Sequence, residues 1–511
     1  MTSWKTTVTS AVALGIFSSG TAAFADVTAE DVWADWQDYM TSAGYTMDAT
    51  ETRSGGTISI TDLSMTLEIP EEDTTVTVSM GGMDISDNGD GTVSISVAPN
   101  LPLDISVAGP EGEEADIGLN YATTALAMNV SGNPDNLTYT YSAAMLGLSL
   151  ESLVVEGEAV NMADFGTAEI NIANVAGSTQ MTVGNLRSSV QRLTSGAINY
   201  LMDIRDPDGG DGRFVVRGGA DSMDFSGTFD MPSEMDTSNM SAMLKAGFAV
   251  EGEFAYQNGS SEFNFQEHGD VVQGSSSTSS GALGVVMDDT QLAYALSATD
   301  MEMMMAGGDI PFPVEISMAE VGFELQMPVS AGEDEQDFAF GVTFGDFTMS
   351  DLIWGIFDPA GQLPRDPATI AMDMSGKVKL LMDLLDPEDM EAMETGMAMP
   401  GEINSLDLHN LTVSAAGAKL TGDGAFTFDN TDLMTFDGIP APTGEVNLSL
   451  AGGNGLLDKL VAMGFVPEDQ AMGTRMMMGM FAVPGDGEDT LNSKIEVKGD
   501  GQILANGQRI K

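Results

Sequence analysis

From residue 56 onward, apolar and polar residues alternate with a period of two in one run after another. Thr57-Ile58-Ser59-Ile60-Thr61 alternates, and the stretches 64–69, 74–80 and 92–97 repeat the pattern around the turn Asn88-Gly89-Asp90-Gly91. Successive side chains of a strand point to opposite faces, so this pattern specifies a sheet with one apolar face and one wet face. Turns this short join antiparallel neighbours, because parallel ones need a long crossover. Segments 115–130 and 137–150 continue the meander through Gly132-Asn133-Pro134-Asp135-Asn136, a strong turn sequence. The expected fold is therefore mainly β (α+β): long curved antiparallel sheets with a few packed helices.

The period changes at a few places. In 27–45, Thr28 is placed to cap a helix, with Asp31 three residues on and Val27 and Val32 as a hydrophobic staple. Val32, Trp36, Tyr39, Met40 and Ala43 share one face, and Gly44 is a natural stop. Segment 183–201 reads as a second helix, with Leu186, Val190, Leu193, Ala197 and Leu201 at helical spacing. A short helix is expected over 239–245. Asn258-Gly259 reads as the turn of a hairpin joining 248–256 to 261–266. The run 273–281, QGSSSTSSG, reads as a mobile loop. Ser350 can cap a helix that Asp358-Pro359 ends, and 371–381 returns to strand. Helical spacing returns at 384–393. Segments 406–415 and 419–428 read as a hairpin, and 456–463 with 468–481 as a helix pair.

A faint internal likeness suggests a tandem duplication. Residues 137–143 (LTYTYSA) resemble 292–298 (LAYALSA), and 162–166 (MADFG) resemble 318–322 (MAEVG), at nearly equal offsets. The expected organisation is a signal peptide over 1–25, a helix and first meander unit over 26–205, a second unit over 206–385, and a C-terminal β/α region over 386–511.

Lys5, the apolar run 7–17 and the A-x-A site at Ala23-Phe24-Ala25 have the form of a cleavable export signal. The run is shorter than the ~20 residues of a membrane-spanning helix. A periplasmic protein with no transmembrane span in the mature chain is the expectation. The chain has no cysteine, which excludes disulfides, thiolate ligands and a cysteine nucleophile. Its 78 Asp and Glu against 18 Lys and Arg repel nucleic acid and anionic lipid head groups. Its 38 methionines are either core filler or the lining of an adaptable hydrophobic groove, with copper(I) ligation as a third use.

No stretch carries a catalytic constellation. The two histidines, His268 and His409, cannot form H-E-x-x-H, and neither G-x-S-x-G nor a Walker motif occurs. Calcium has the best of the metal arguments: Asp206, Asp208 and Asp211 crowd a Gly-rich turn, and Asp87-Asn88-Gly89-Asp90-Gly91 is a second such turn, though neither has EF-hand spacing. Arg365 stands between Pro364 and Pro367 in a chain poor in cations. It is a candidate clamp for a ligand carboxylate or, more simply, for a neighbouring Asp.

Phe357-Asp358-Pro359 followed by Leu363-Pro364-Arg365-Asp366-Pro367-Ala368-Thr369 resembles an uncharacterised bacterial envelope family, domain-of-unknown-function family 2125. The opening 32–37 (VWADWQ), the tail 453–470 and Gly507 are also similar to it. The resemblance implies an envelope location and a β-rich fold, and it lends no catalytic residue. Many relatives look anchored in a membrane at the N-terminus, whereas this chain has a cleavable-looking signal. The expected function is a non-enzymatic periplasmic protein that binds a hydrophobic, lipid-like ligand or supports envelope assembly. Its partners would be that ligand or an envelope protein. The competing expectation is a structural or adhesive surface protein with calcium in its Asp/Gly turns. A carboxylate-based hydrolase is a distant third.

Overall fold

The computed structural model describes residues 26–69, 73–207, 210–232, 239–308, 310–395 and 399–511. The export-signal pattern lies outside the described residues. Among the described residues the alternating runs form 28 strands in one hydrogen-bonded sheet, and the pairings are antiparallel. It is a meander throughout: each strand, or end-to-end pair of short strands, bonds to the one before and the one after. The edge strand Thr46–Ser54 pairs only with Thr57–Ile69, and the chain ends on the small ladder of Ile503–Ala505 with Gln508–Arg509. Among the described residues no pairing joins the two ends, so the sheet is open. Asp48, Glu51 and Arg53 on the first strand make that edge a poor template for another chain.

The ladder crosses both expected unit boundaries. Ile198–Arg205 pairs with Arg213–Ala220, and Ala368–Leu380 with Gly401–Ala415. The proposed repeat also diverges. Met162–Phe165 is a helical turn, whereas Met318 to Gly322 lie within the strand Ile310–Pro328.

A line of left-handed residues creases the sheet along its length. Asp62, Ala125, Asn174, Asn258, Asp300 and Asp346 have φ between 48° and 53°, and each sits within a strand or between two end-to-end strands. Five of the six are Asn or Asp, the non-glycine residues that enter this region most easily. At each crossing the apolar parity switches. Leu292, Tyr294 and Leu296 precede Asp300, whereas Met301, Met303 and Met305 follow it. The neighbouring strand switches in step, from Val314, Ile316 and Met318 to Val321, Phe323 and Leu325. Side chains from both sides of the crease meet on one face. Ile58 and Ile60 cluster with Leu63, and a Cβ on Gly259 would lie 2.4 Å from the Tyr256 ring.

The crease explains three departures from expectation. Asn258-Gly259 is no hairpin turn; it lies inside one strand, Ala249–Glu267. The expected loop 273–281 lies within the strand Asp270–Met287. Its small residues leave room for aromatic rings: a Cβ on Gly274 would lie 2.5 Å from Phe263, and one on Gly281 2.4 Å from Tyr256. The expected helix over 183–201 is strand instead, the end of Gly166–Val183 followed by Leu186–Ser195 and Ile198–Arg205. Leu186 and Val190 lie on one face of Leu186–Ser195 and Leu193 on the other, and Ala197 and Leu201 lie beyond the crease at Gly196, so the helical spacing joined side chains from both faces of the sheet.

Helix α1, Ala29–Ser42, lies on the apolar face at the first end of the sheet. It begins as its sequence dictates: the Thr28 side chain accepts from Asp31 N–H, and the Asp31 carboxylate accepts from Thr28 N–H. Such a cap is worth roughly 1 kcal/mol. Val27, Ala29, Val32 and Trp33 are buried against Ile58, Ile60, Ile85, Val93, Val130 and Leu137. Full burial of side chains of this kind contributes roughly 1.5–3 kcal/mol each. Trp33 is thus a core residue, whereas the helical pattern alone centred the buried face on Trp36 and Tyr39.

The other helices sit at strand ends. A short helix, Met240–Lys245, is joined to the 381–389 turn by Lys245 and Ser241, which both donate to Asp383. The helix Asp351–Phe357 follows the last creased strand, and Ala368–Leu380 begins beside the crease, where Ala368 pairs with Phe347. Two further helices, Gly453–Ala462 and Glu468–Phe481, follow as expected.

Candidate functional site: an uncharged apolar face

Because paired residues on neighbouring strands face the same side, the register traces the apolar face strand by strand. One row runs Leu283, Leu296, Phe323, Val342. Another runs Phe344, Ile370, Val413, Leu420. Over the strands between Ile198–Arg205 and Ala441–Ala451, the described residues of this face include no Asp, Glu, Lys, Arg or His, apart from Glu267 and Asp270 flanking one turn at the rim. The acids fall on the opposite face, as with Glu251, Glu253, Glu320, Glu324 and Asp373. On that face burial pushes the Glu324 carboxyl above its ordinary pKa, and the nearby Asp373 adds to the shift.

Among the described residues no second layer covers the apolar face here. Leu296 is 44% exposed and Ile370 51%, and Phe214, Phe265, Phe323 and Phe344 are similarly open. Phe323 and Phe340 meet edge to face, with ring centroids 6.0 Å apart.

At the first end the face does carry charges, and each is engaged by α1 or its cap. Arg187 bonds Asp35 at 2.7 Å and lies over the Tyr39 ring, 4.8 Å from its centroid. Glu51 accepts from the Trp33 indole at 2.9 Å, Arg53 pairs with Glu30, and Asp87 accepts from Ala29 N–H at 2.7 Å. Tyr139 accepts from the Trp36 indole and donates to Asp35. Burial first, and then the charge of Asp35, push the Tyr139 hydroxyl pKa well up. Beside this anchored helix lies a cavity of about 340 Å³, bounded by Trp33, Trp36 and the apolar face.

The residues singled out by sequence lie elsewhere. Arg365 pairs with Asp351 in the first turn of the helix Asp351–Phe357, and its guanidinium stands 5.9 Å from the centroid of the Trp354 ring. The neighbouring turn closes on buried Asp358, which accepts from Gln362 and Leu363 N–H, both at 2.8 Å. Burial pushes the Asp358 carboxyl up, but these donors and the charge of Arg365 outweigh it, so its pKa lies below the usual value. Arg365 thus links the segment after this turn to the helix Asp351–Phe357 through an exposed ion pair.

Of the calcium candidates, Asp208 lies outside the described residues. Asp206 N–H donates to Gly212 O, and Asp211 accepts from His268 N–H at 3.1 Å. Among the described residues no three His, Asp or Glu side chains are grouped to hold a metal ion. His268 is exposed at a turn, and His409 meets Ser375 on the polar side. The open apolar face was legible as a repeated pattern, but its freedom from charge was not. Counting at a fixed period of two mixes the faces each time a strand crosses the crease.

A family model described as an uncharacterized protein conserved in bacteria (DUF2125) matches residues 244–505, just over half of the chain. That span includes the Leu363-Pro364-Arg365-Asp366-Pro367 island and leaves out α1. No curated protein matches. One solved structure is similar at 9% identity, over 91% of this chain and 79% of that one: a double mutant of the Serratia marcescens hemophore receptor HasR in complex with its hemophore HasA and heme. The TM-score is 0.15, too low for the likeness to bear on fold or function.

Proposed function

The chain belongs to the DUF2125 family of uncharacterised bacterial proteins, and from that premise we propose that it is a non-enzymatic periplasmic protein whose open sheet face binds the hydrocarbon part of a lipid-like ligand. The observation that carries this reading is the uncharged, half-exposed apolar face traced from Ile198 to Leu450. Contiguous exposed apolar patches beyond a few hundred Å² are rare on soluble monomers and mark binding surfaces. About ten ladder spacings of ~4.8 Å separate the two ends of this stretch, a run on the order of 50 Å. One leaflet of a bilayer's hydrocarbon core is ~15 Å thick, so the face exceeds the length of a single acyl chain about threefold.

The lining supports a binding reading: among the described residues and away from Glu267 and Asp270 at the rim, it presents hydrocarbon side chains rather than carboxylate, imidazole or cationic groups. The periplasmic assignment rests on the leader pattern ending at Ala25. The test is solvent extraction of the folded protein, purified from cells without detergent, followed by mass spectrometry. Stoichiometric phospholipid or free fatty acid is expected. Protein that emerges free of lipid, and takes none up from phosphatidylcholine vesicles, would overturn the reading.

A further inference from the structure

The geometry points to the cavity beside α1 as the seat for the methyl end of a hydrocarbon chain, an inference that rests on the lipid-binding reading and extends it to a defined place and orientation. Six of the fifteen residues around the cavity are methionine: Met40, Met47, Met65, Met80, Met83 and Met128. Unbranched thioether side chains re-pack around a flexible guest more readily than a wall of β-branched residues. The lining therefore suits an acyl chain better than a rigid ring system. At about 340 Å³ the cavity lies at the small end of ligand pockets, which run from roughly 300 to 1,000 Å³. It has room for the end of a chain but not for a whole phospholipid.

The polar groups that α1 brings to it are already committed. The Trp33 and Trp36 indoles donate to Glu51 and Tyr139, and Asp35 is held by Arg187 and Tyr139. A charged head group entering here would lose its water and find only the neutral Tyr121 hydroxyl as a partner, so its entry is disfavoured. A methyl terminus loses nothing. The cavity is also continuous with the open face. Tyr121 on its wall pairs with Leu148, Leu148 with Ile170, Ile170 with Tyr200 and Tyr200 with Gly218, an unbroken row leading to the uncovered strands. A chain lying on that row reaches the cavity without crossing a charge.

The experiment uses the full mature chain and two phosphatidylcholine probes. One carries a photoactivatable diazirine at the end of an acyl chain, and the other carries it in the head group. After irradiation, peptide mapping of the tail probe should place adducts on residues such as Met40, Met80 and Met128, and the head-group probe should leave these unlabelled. The variant Met80→Trp/Met128→Trp, which fills the cavity, should lower tail labelling there at least tenfold while total bound lipid changes less than twofold. Tail adducts confined to strands such as Gln291–Gly307 and Ile310–Pro328 would overturn the cavity assignment and leave the apolar-face reading standing. Head-group labelling inside the cavity would overturn the orientation. Absence of adducts anywhere would overturn both inferences.

Discussion

Arg187, reaching from the apolar face, and Asp35, on helix α1, bond at 2.7 Å with only 14% and 8% of their side chains exposed. Their sequence separation of 152 residues makes this pair the longest-range polar tie of α1 to the sheet. Removing one partner of such a pair leaves the other buried and uncompensated, a cost of roughly 3–5 kcal/mol. Arg187→Ala should therefore raise amide exchange across 29–42 by two orders of magnitude or more, with the strands beyond Arg213 unchanged. The joint change Asp35→Leu/Arg187→Met should restore most of the protection, since it removes both charges at once. Hydrogen exchange read by mass spectrometry checks both.

The crease makes a prediction about side-chain shape. Asn258 holds φ at 51° in mid-strand and donates to Asp221 at 2.9 Å. A β-branched residue resists that region, so Asn258→Val should destabilise the sheet by roughly 1–2 kcal/mol. Asn258→Gly should cost less, because glycine accepts positive φ and forfeits only the hydrogen bond. Urea denaturation compared among the three proteins gives the order.

These residues also mark what a sequence of this kind conceals. The period of two in 57–61, the cap at Thr28 and the hairpin at Ala416-Gly417 are local, and each is legible because neighbouring residues decide it. Asn258-Gly259 signals a left-handed backbone equally clearly. Whether the chain then reverses or continues is decided by its partners, Ser260 facing Gly219 and Gln257 facing Ser222 and Ser280, which lie far away in sequence. The same holds for the site. Leu296 and Met303 share a face only because Asp300 lies between them, so the uncharged surface emerges once each strand is split at its crease. Trp33 was displaced from the predicted helical face for a similar reason: its indole is claimed by Glu51.

The turn at 358–363 should be acid-sensitive. The Asp358 pKa in the folded protein lies below the ordinary carboxyl value of about 3.9. Its contribution is therefore fully present above about pH 4 and is lost as pH falls through the folded value. Exchange at Gln362 and Leu363 N–H, corrected for intrinsic rate, should accelerate below that point. In Asp358→Asn it should already be fast at neutral pH and flat with pH. Exchange at these two amides left unchanged by Asp358→Asn at neutral pH would contradict the assignment.

Filling space at the crease should disturb packing without adding charge. Gly281 has no room for a Cβ beside the Tyr256 ring, which lies 2.4 Å from where that atom would be. Gly281→Val should lower the thermal midpoint by several degrees, and Gly281→Val/Tyr256→Ala should recover part of the loss. Differential scanning calorimetry of the single and double variants measures the coupling.

If an uncharged apolar face holds hydrocarbon, charge placed on that face should weaken binding. Leu296 and Phe323 are paired, half-exposed and distant from α1. Delipidated wild-type protein and the variant Leu296→Glu/Phe323→Glu can be titrated with a fluorescent fatty-acyl phosphatidylcholine, with folding checked by circular dichroism. The wild type should bind saturably and the variant at least tenfold more weakly, since two carboxylates would have to be desolvated beneath the chain. Equal affinity in two folded proteins, or no binding by the wild type, would contradict the apolar-face reading.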